Sequence, residues 1–100
     1  MTKPKLRIGL IGTGFMGKAH VFGFTSAPRV FELPCDLELH TVADITDEAA
    51  ERARQTLGFA HATSDWRTIM ADPEIDLVSI TAPNALHKEM SLAAIAAGKH

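Results

Sequence analysis

The stretch RIGLIGTGFMGKAH, Arg7 to His20, constrains the fold more than any other part of the chain. A short apolar run, Ile8, Leu10 and Ile11, leads directly into Gly12, Gly14 and Gly17 at the spacing G-x-G-x-x-G. That pattern means little alone, because glycine is common. It gains force where it ends a strand and opens a helix. Here the apolar run supplies the strand, and Phe15 to Phe24 supply the helix. The three glycines then play different parts. Gly12 permits the tight turn, Gly14 lets the backbone approach a pyrophosphate without a Cβ, and Gly17 lets helix and strand pack closely. The free N–H groups around Phe15 and Met16 carry the positive end of the helix dipole, which suits an anion.

The rest of the chain alternates in the same way. KLRIGLI (5–11) reads as a strand, and its helix begins near Phe15 and fades before Pro28. LELHTVA (37–43) is a second strand, with Leu37, Leu39 and then Val42 in a mostly apolar run. DITDEAAERARQTLG (44–58) is a helix capped by Thr46 and stopped at Gly58, with Ala50, Ala53 and Leu57 along its apolar face. FAHAT (59–63) is a weaker strand, after which Ser64 or Asp65 caps a short helix running to about Ala71. DLVSITA (76–82) is a strong strand, Pro83 marks a turn, and NALHKEMSLAAIAAG (84–98) is a long helix with Asn84 as its cap. Leu86, Met90, Ala93 and Ala97 lie on one face of that helix. The two prolines of SAPRVFELPCD (26–36) predict an extended connection.

Strands alternating with helices imply parallel pairing and right-handed crossovers. The expected architecture is α/β, a doubly wound (Rossmann) parallel sheet represented by its first four βα units. One incomplete dinucleotide-binding domain over 1–100 follows, lacking the last strands.

A dinucleotide site also needs an acid at the carboxyl end of the second strand to bind a ribose. Asp44 is the candidate, although it follows Gly17 by 27 residues where about 20 is typical. Asp36 fits the count better and fails on geometry. At about 3.3 Å per residue it lies more than about 20 Å away, at the wrong end of the strand. The irregular stretch 26–36 is expected to absorb the extra residues. A carboxylate at Asp44 repels a 2′-phosphate, and Ile45 and Thr46 supply no arginine to hold one, so NAD is favoured over NADP. TAPNALH (81–87) should border the same crevice, with Asn84 either capping its helix or touching the ligand.

Composition narrows the remaining classes. A chain of 100 residues, 46% hydrophobic and 22% charged, suits one ordinary globular domain. The formal net charge of −2 gives no reason to expect nucleic acid or a membrane surface as partner. Cys35 is the single cysteine, so a reducing, cytoplasmic setting is favoured. Its loop holds no basic neighbour to activate the thiol. His40 and His61 share no ligand spacing, so no metal site is expected. His20 reads as a partly buried structural histidine, and Trp66, Ile69 and Met70 as core contacts.

At GTGFMGKAH (12–20), VAD (42–44), SDW (64–66), DPEIDLVSITAPNALHKEM (72–90) and AAIAAGKH (93–100) the chain resembles the N-terminal domain of the Gfo/Idh/MocA family. That family takes in glucose-fructose oxidoreductase, inositol dehydrogenase and relatives. The resemblance implies a nicotinamide-dependent oxidoreductase acting on CH–OH groups of a small sugar, cyclitol or polyol. By it, Gly12, Thr13, Gly14, Phe15, Met16 and Gly17 bind the pyrophosphate, and Asp44 with Ile45 the adenosine ribose. Ala82, Pro83 and Asn84 lie along the cofactor, and His87 of the P-N-x-x-H pattern lies near the nicotinamide half. The family's catalytic lysine belongs to a later Glu-Lys-Pro strand, so Lys99 does not take that role and this chain is expected to hold no catalytic residue. A C-terminal α/β domain is expected to carry the substrate site and to make a homo-oligomer. Two other readings stay open: a non-catalytic NAD-binding sensor or regulator, and a methyltransferase, against which the Gly14–Gly17 spacing argues.

Overall fold

The computed structural model describes residues 3–100. Four strands, β1 (Lys5–Ile11), β2 (Asp36–Ala43), β3 (His61–Thr63) and β4 (Leu77–Ile80), form one sheet in the order β3-β2-β1-β4. All three pairings are parallel. The helices are α1 (Phe15–Val30), α2 (Asp47–Leu57), α3 (Arg67–Ala71) and α4 (His87–Ala96). The chain winds outward from β1 to β3 and then returns to pair β4 on the other side of β1. That reversal opens a crevice at the carboxyl ends of β1 and β4, where open α/β sheets bind ligands. The α/β reading of the sequence therefore holds.

Both faces of the sheet are covered, and β1 shows why its apolar run is nearly continuous. Leu10 joins Val21 of α1, Val42, Ala53 of α2 and Phe59 in one buried cluster. Ile11, on the opposite face, joins Ala43, Ile69, Met70, Ile75 and Met90 in the other. Ile8 and Leu10 are wholly shielded from solvent.

Four local expectations need correction. Helix α1 does not fade before Pro28; it continues to Val30 with Pro28 inside its last turn. At that position a proline removes one helical N–H donor, and the Phe31 N–H still closes the helix on the Ala27 carbonyl at 2.8 Å. The extra residues between Gly17 and Asp44 thus lengthen a helix, and the connection shrinks to 31–35.

The second correction concerns the start of α4. A 3₁₀ turn over Asn84–Leu86 precedes the helix, and no side chain caps either segment. Asn84 is therefore not a capping residue. The third concerns the inner face of α4, which consists of Met90, Ala94 and half-buried Ala93, whereas Leu86 and Ala97 are exposed. The fourth is the shorter β4, which starts at Leu77 and ends at Ile80, before Thr81 turns to the glycine loop.

Other signals behave as read. Thr46 caps α2 by accepting the Ala49 N–H at 3.1 Å, and α2 ends at left-handed Gly58. Asp65 rather than Ser64 serves α3, its Oδ1 accepting the Arg67 N–H at 3.0 Å. The apolar run of β2 changes parity between Leu39 and Val42 because a bulge interrupts its pairing: Ile8 faces Leu39, and Gly9 faces Thr41. The extra residue is His40. Among the described residues, no helix is long and apolar enough to cross a membrane.

The glycines of α1 make a paired test. A Cβ on Gly17 would sit 2.3 Å from the Gly12 carbonyl oxygen, whereas one on Gly23 would meet nothing within 4 Å. Gly17→Ala should destabilise the fold by about 1–3 kcal/mol through overpacking. Gly23→Ala should stabilise it by about 0.5–1 kcal/mol through helix propensity. Urea unfolding of both variants, with opposite shifts in midpoint, checks this.

Candidate functional site

The carboxyl edge of the sheet opens into a cleft of about 590 Å³, within the range of small-molecule and cofactor sites. Its walls come from four connections: Ile11 to Gly14 after β1, Ala43 to Ile45 after β2, Ser64 and Trp66 after β3, and Thr81 to Pro83 with Leu86 and Met90 after β4. Of the residues singled out in the sequence, Gly12, Thr13, Gly14, Asp44, Ile45, Ala82 and Pro83 lie around this one space.

The glycine turn is built by contact rather than by flexibility alone. Gly12 has φ +92°, and a Cβ there would lie 2.7 Å from the Thr81 carbonyl oxygen. Its N–H donates to the Ala43 carbonyl at 3.0 Å, tying the ends of β1 and β2 together. Gly14, the N-cap of α1, has open space where its Cβ would be. The first turn of α1 holds no acidic side chain, and no side chain caps it. The N–H groups of Phe15, Met16 and Gly17 have no intrahelical acceptor. The Phe15 and Met16 side chains are exposed, and Gly17 is buried beneath the turn.

Across the cleft, Asp44 is held from two sides. Thr13 Oγ1 donates to Asp44 Oδ2, and the Ile45 N–H donates to Oδ1 at 2.7 Å. The carboxylate is thereby oriented while keeping lone pairs for further donors. A smaller hollow on the α1–α2 side also uses Thr13 and Asp44, and it brings in Lys18 and Arg52. Arg52 sits too far along α2 to read as a neighbour of Asp44 from sequence spacing. Asp36, the rejected acid, starts β2 opposite Lys5, at the far end of the sheet.

Two further candidates sit apart from the cleft wall. Asn84 is exposed outside the lining. His87 turns back on its own loop, its Nε2 lying 2.6 Å from the Ala82 carbonyl oxygen. A carbonyl only accepts, so Nε2 carries the proton in this contact. Lys99 is occupied elsewhere, donating to the Asp72 and Ile75 carbonyls at 2.6 Å each.

The sequence reading missed several wall residues. Trp66 does pack on the buried cluster, as read, and it also faces the cleft. Ser64, Thr81, Leu86 and Met90 join it. Met90 belongs to the buried cluster and Trp66 packs on it, and both also face the cleft, two sides of the same side chains, whereas Leu86 lines the cleft from an exposed position. Among titratable groups, Glu51 is held below the ordinary carboxylate range, first by hydrogen bonding from Arg54 and then by Gln55. That exposed pair, 2.6 Å apart, belongs to the outer face of α2.

Residues 6–100 match the model of the GFO_IDH_MocA oxidoreductase family, NAD-binding Rossmann fold. Levoglucosan dehydrogenase of Pseudarthrobacter phenanthrenivorans is 45% identical over 96 residues, which is 95% of this chain and 25% of that protein. Inositol 2-dehydrogenase/D-chiro-inositol 3-dehydrogenase of Lactiplantibacillus plantarum is 30% identical over 94 residues, 93% of this chain and 25% of that protein. The solved structure of levoglucosan dehydrogenase in complex with NADH and levoglucosan superposes with a TM-score of 0.94 at 44% identity, covering 96% of this chain and 26% of that one. The chain thus spans about a quarter of the length of these relatives.

The ring contact of His87 fixes a measurable state. Long-range ¹⁵N–¹H correlation spectra at neutral pH should show His87 protonated at Nε2, and a protonated Nδ1 with a bare Nε2 would contradict the loop geometry.

Proposed function

The chain belongs to the Gfo/Idh/MocA oxidoreductase family, and on that premise we propose that it is the NAD-binding part of a dehydrogenase acting on the CH–OH groups of a sugar, cyclitol or related polyol. The observation that carries the reading is the convergence of the glycine turn and Asp44 on one cleft at the point where strand order reverses. The pyrophosphate lies over Gly14 and the start of α1, where main-chain N–H groups and the helix dipole meet its charge. Asp44 accepts hydrogen bonds from the adenosine ribose hydroxyls. Ile45 and Trp66 supply apolar surface at that end of the cleft, and Ala82 and Pro83 line the opposite end.

NAD is favoured over NADP because the Asp44 carboxylate meets a 2′-phosphate with like charge. Arg52 and Lys18 lie in the neighbouring hollow, on the α1–α2 side of that carboxylate. The relatives that carry sugar or inositol dehydrogenase names support the substrate class. The nicotinamide carries the hydride chemistry, and the residues of this chain bind and orient it. Substrate recognition and proton transfer fall to a further α/β domain of the longer protein, which also makes the subunit contacts.

The molecule contains its own reporter. These 100 residues have one tryptophan and no tyrosine, so emission excited at the red edge from this stretch alone comes from Trp66 in the cleft wall. NADH should quench that emission saturably, and NADPH should do so at markedly higher concentration. Asp44→Ala should weaken NADH binding by about tenfold, as expected for a lost hydrogen bond to a charged group, and narrow the preference over NADPH. Unchanged affinity for both nucleotides would assign the ribose to another residue.

A further inference from the structure

We infer that Thr81 positions the glycine turn for the pyrophosphate, by holding the Gly12 carbonyl inside the turn so that N–H groups face the anion. The inference rests on the cofactor reading above and gives a positioning role to a residue that touches no catalytic group in this chain.

The geometry is a three-way crossing. The Thr81 N–H donates to the Ile11 carbonyl at 2.9 Å, continuing the β1–β4 ladder by one residue beyond β4. The Thr81 hydroxyl lies 2.9 Å from that same carbonyl oxygen and 2.8 Å from the Gly12 carbonyl oxygen. Its single proton is shared between the two. Among the described residues, no backbone N–H outside the regular elements donates to the Gly12 carbonyl. The hydroxyl is therefore that carbonyl's partner.

The same oxygen is wedged against α1, only 2.3 Å from where a Gly17 Cβ would stand, and the Thr81 hydroxyl is 3.1 Å from that point. Gly12, Gly17 and Thr81 thus meet at one spot, where two residues lack side chains and the third offers a hydroxyl.

The electrostatic consequence follows from the peptide dipole. A peptide unit has a negative carbonyl end and a positive N–H end, so fixing one end fixes the other. With its carbonyl bonded to Thr81, the Gly12–Thr13 peptide cannot flip to present oxygen toward the cleft. A flipped peptide would set a partial negative charge against a pyrophosphate and remove an N–H donor from it. Such a flip turns about ψ of Gly12 and φ of Thr13, and the absence of a Cβ leaves ψ at position 12 little restricted. The bond from the hydroxyl to the Gly12 carbonyl opposes it.

Valine is close to threonine in shape and lacks the hydroxyl, so Thr81→Val removes the restraint with little change in volume. Binding is read from the fluorescence of NADH itself, and from displacement of NADH for ADP-ribose and for adenosine, in the intact protein. Thr81→Val should weaken NADH and ADP-ribose by about tenfold, while adenosine, which has no pyrophosphate, changes by less than about twofold. Thr81→Ser restores the hydroxyl and should bind all three like the wild type. Equal losses for ADP-ribose and adenosine would overturn the inference, as would undiminished ADP-ribose binding by Thr81→Val or failure of serine to rescue. If valine impairs folding, Thr81→Ala carries the same comparison against Thr81→Ser. The two readings fail separately: a wild type that binds no NADH overturns the cofactor assignment itself, whereas normal wild-type binding with an unaffected valine variant overturns the role of Thr81 alone.

Discussion

Helix α1 approaches β1 as closely as it does because position 17 has no side chain. The Gly12 carbonyl occupies the space a methyl group would need, 2.3 Å from the Cβ position of Gly17. That contact fixes where the helix begins and aims its amino end at the crevice between β1 and β4. The register of β4 against β1 then brings Thr81 to the same spot. Loss of the contact would shift the helix start, the turn before it and the residue that clamps both.

What the sequence revealed and what it concealed divide along one physical line. Local signals were legible: the Thr46 cap and the Gly58 stop act on neighbours within a few residues, and the strand before Gly12 and the acid at the end of β2 are each marked within one short segment. Helix α1 ran past Pro28 because a proline in a last turn costs only one hydrogen bond, and the pattern of prolines in 26–36 does not distinguish a broken helix from one that tolerates the loss. Asn84 has the chemistry of a cap, but a 3₁₀ turn interposes itself between that residue and α4. The deepest omissions are through-space. Thr81 meets Gly12 across 69 positions of sequence, and nothing in TAP marks a residue whose hydroxyl reaches another loop.

The bulge at His40 shows a subtler kind of legibility. The sequence shows Leu37, Leu39 and then Val42 in a mostly apolar run, and the structure adds that an inserted residue returns Val42 to the same buried cluster as Leu39. His40 is buried, with its ring atoms 2.7 Å from the Thr41 hydroxyl and 3.3 Å from the Glu74 carboxylate. A polar residue in the middle of a parallel sheet is thereby paired on both ring nitrogens. Such pairing is what allows a buried imidazole without a large desolvation penalty.

The glycine turn also has a bearing on how this chain tolerates sequence drift. Its outward-facing donors belong to the main chain, and the side chains of Phe15 and Met16 point into solvent. Those two positions are free to accept most residues, since every amino acid but proline brings the same N–H. Variation is instead confined at Gly12 and Gly17, where any added carbon collides with backbone. A surface of this kind is hard to erase gradually: most substitutions around it are silent, and the few that are not damage fold and ligand grip together.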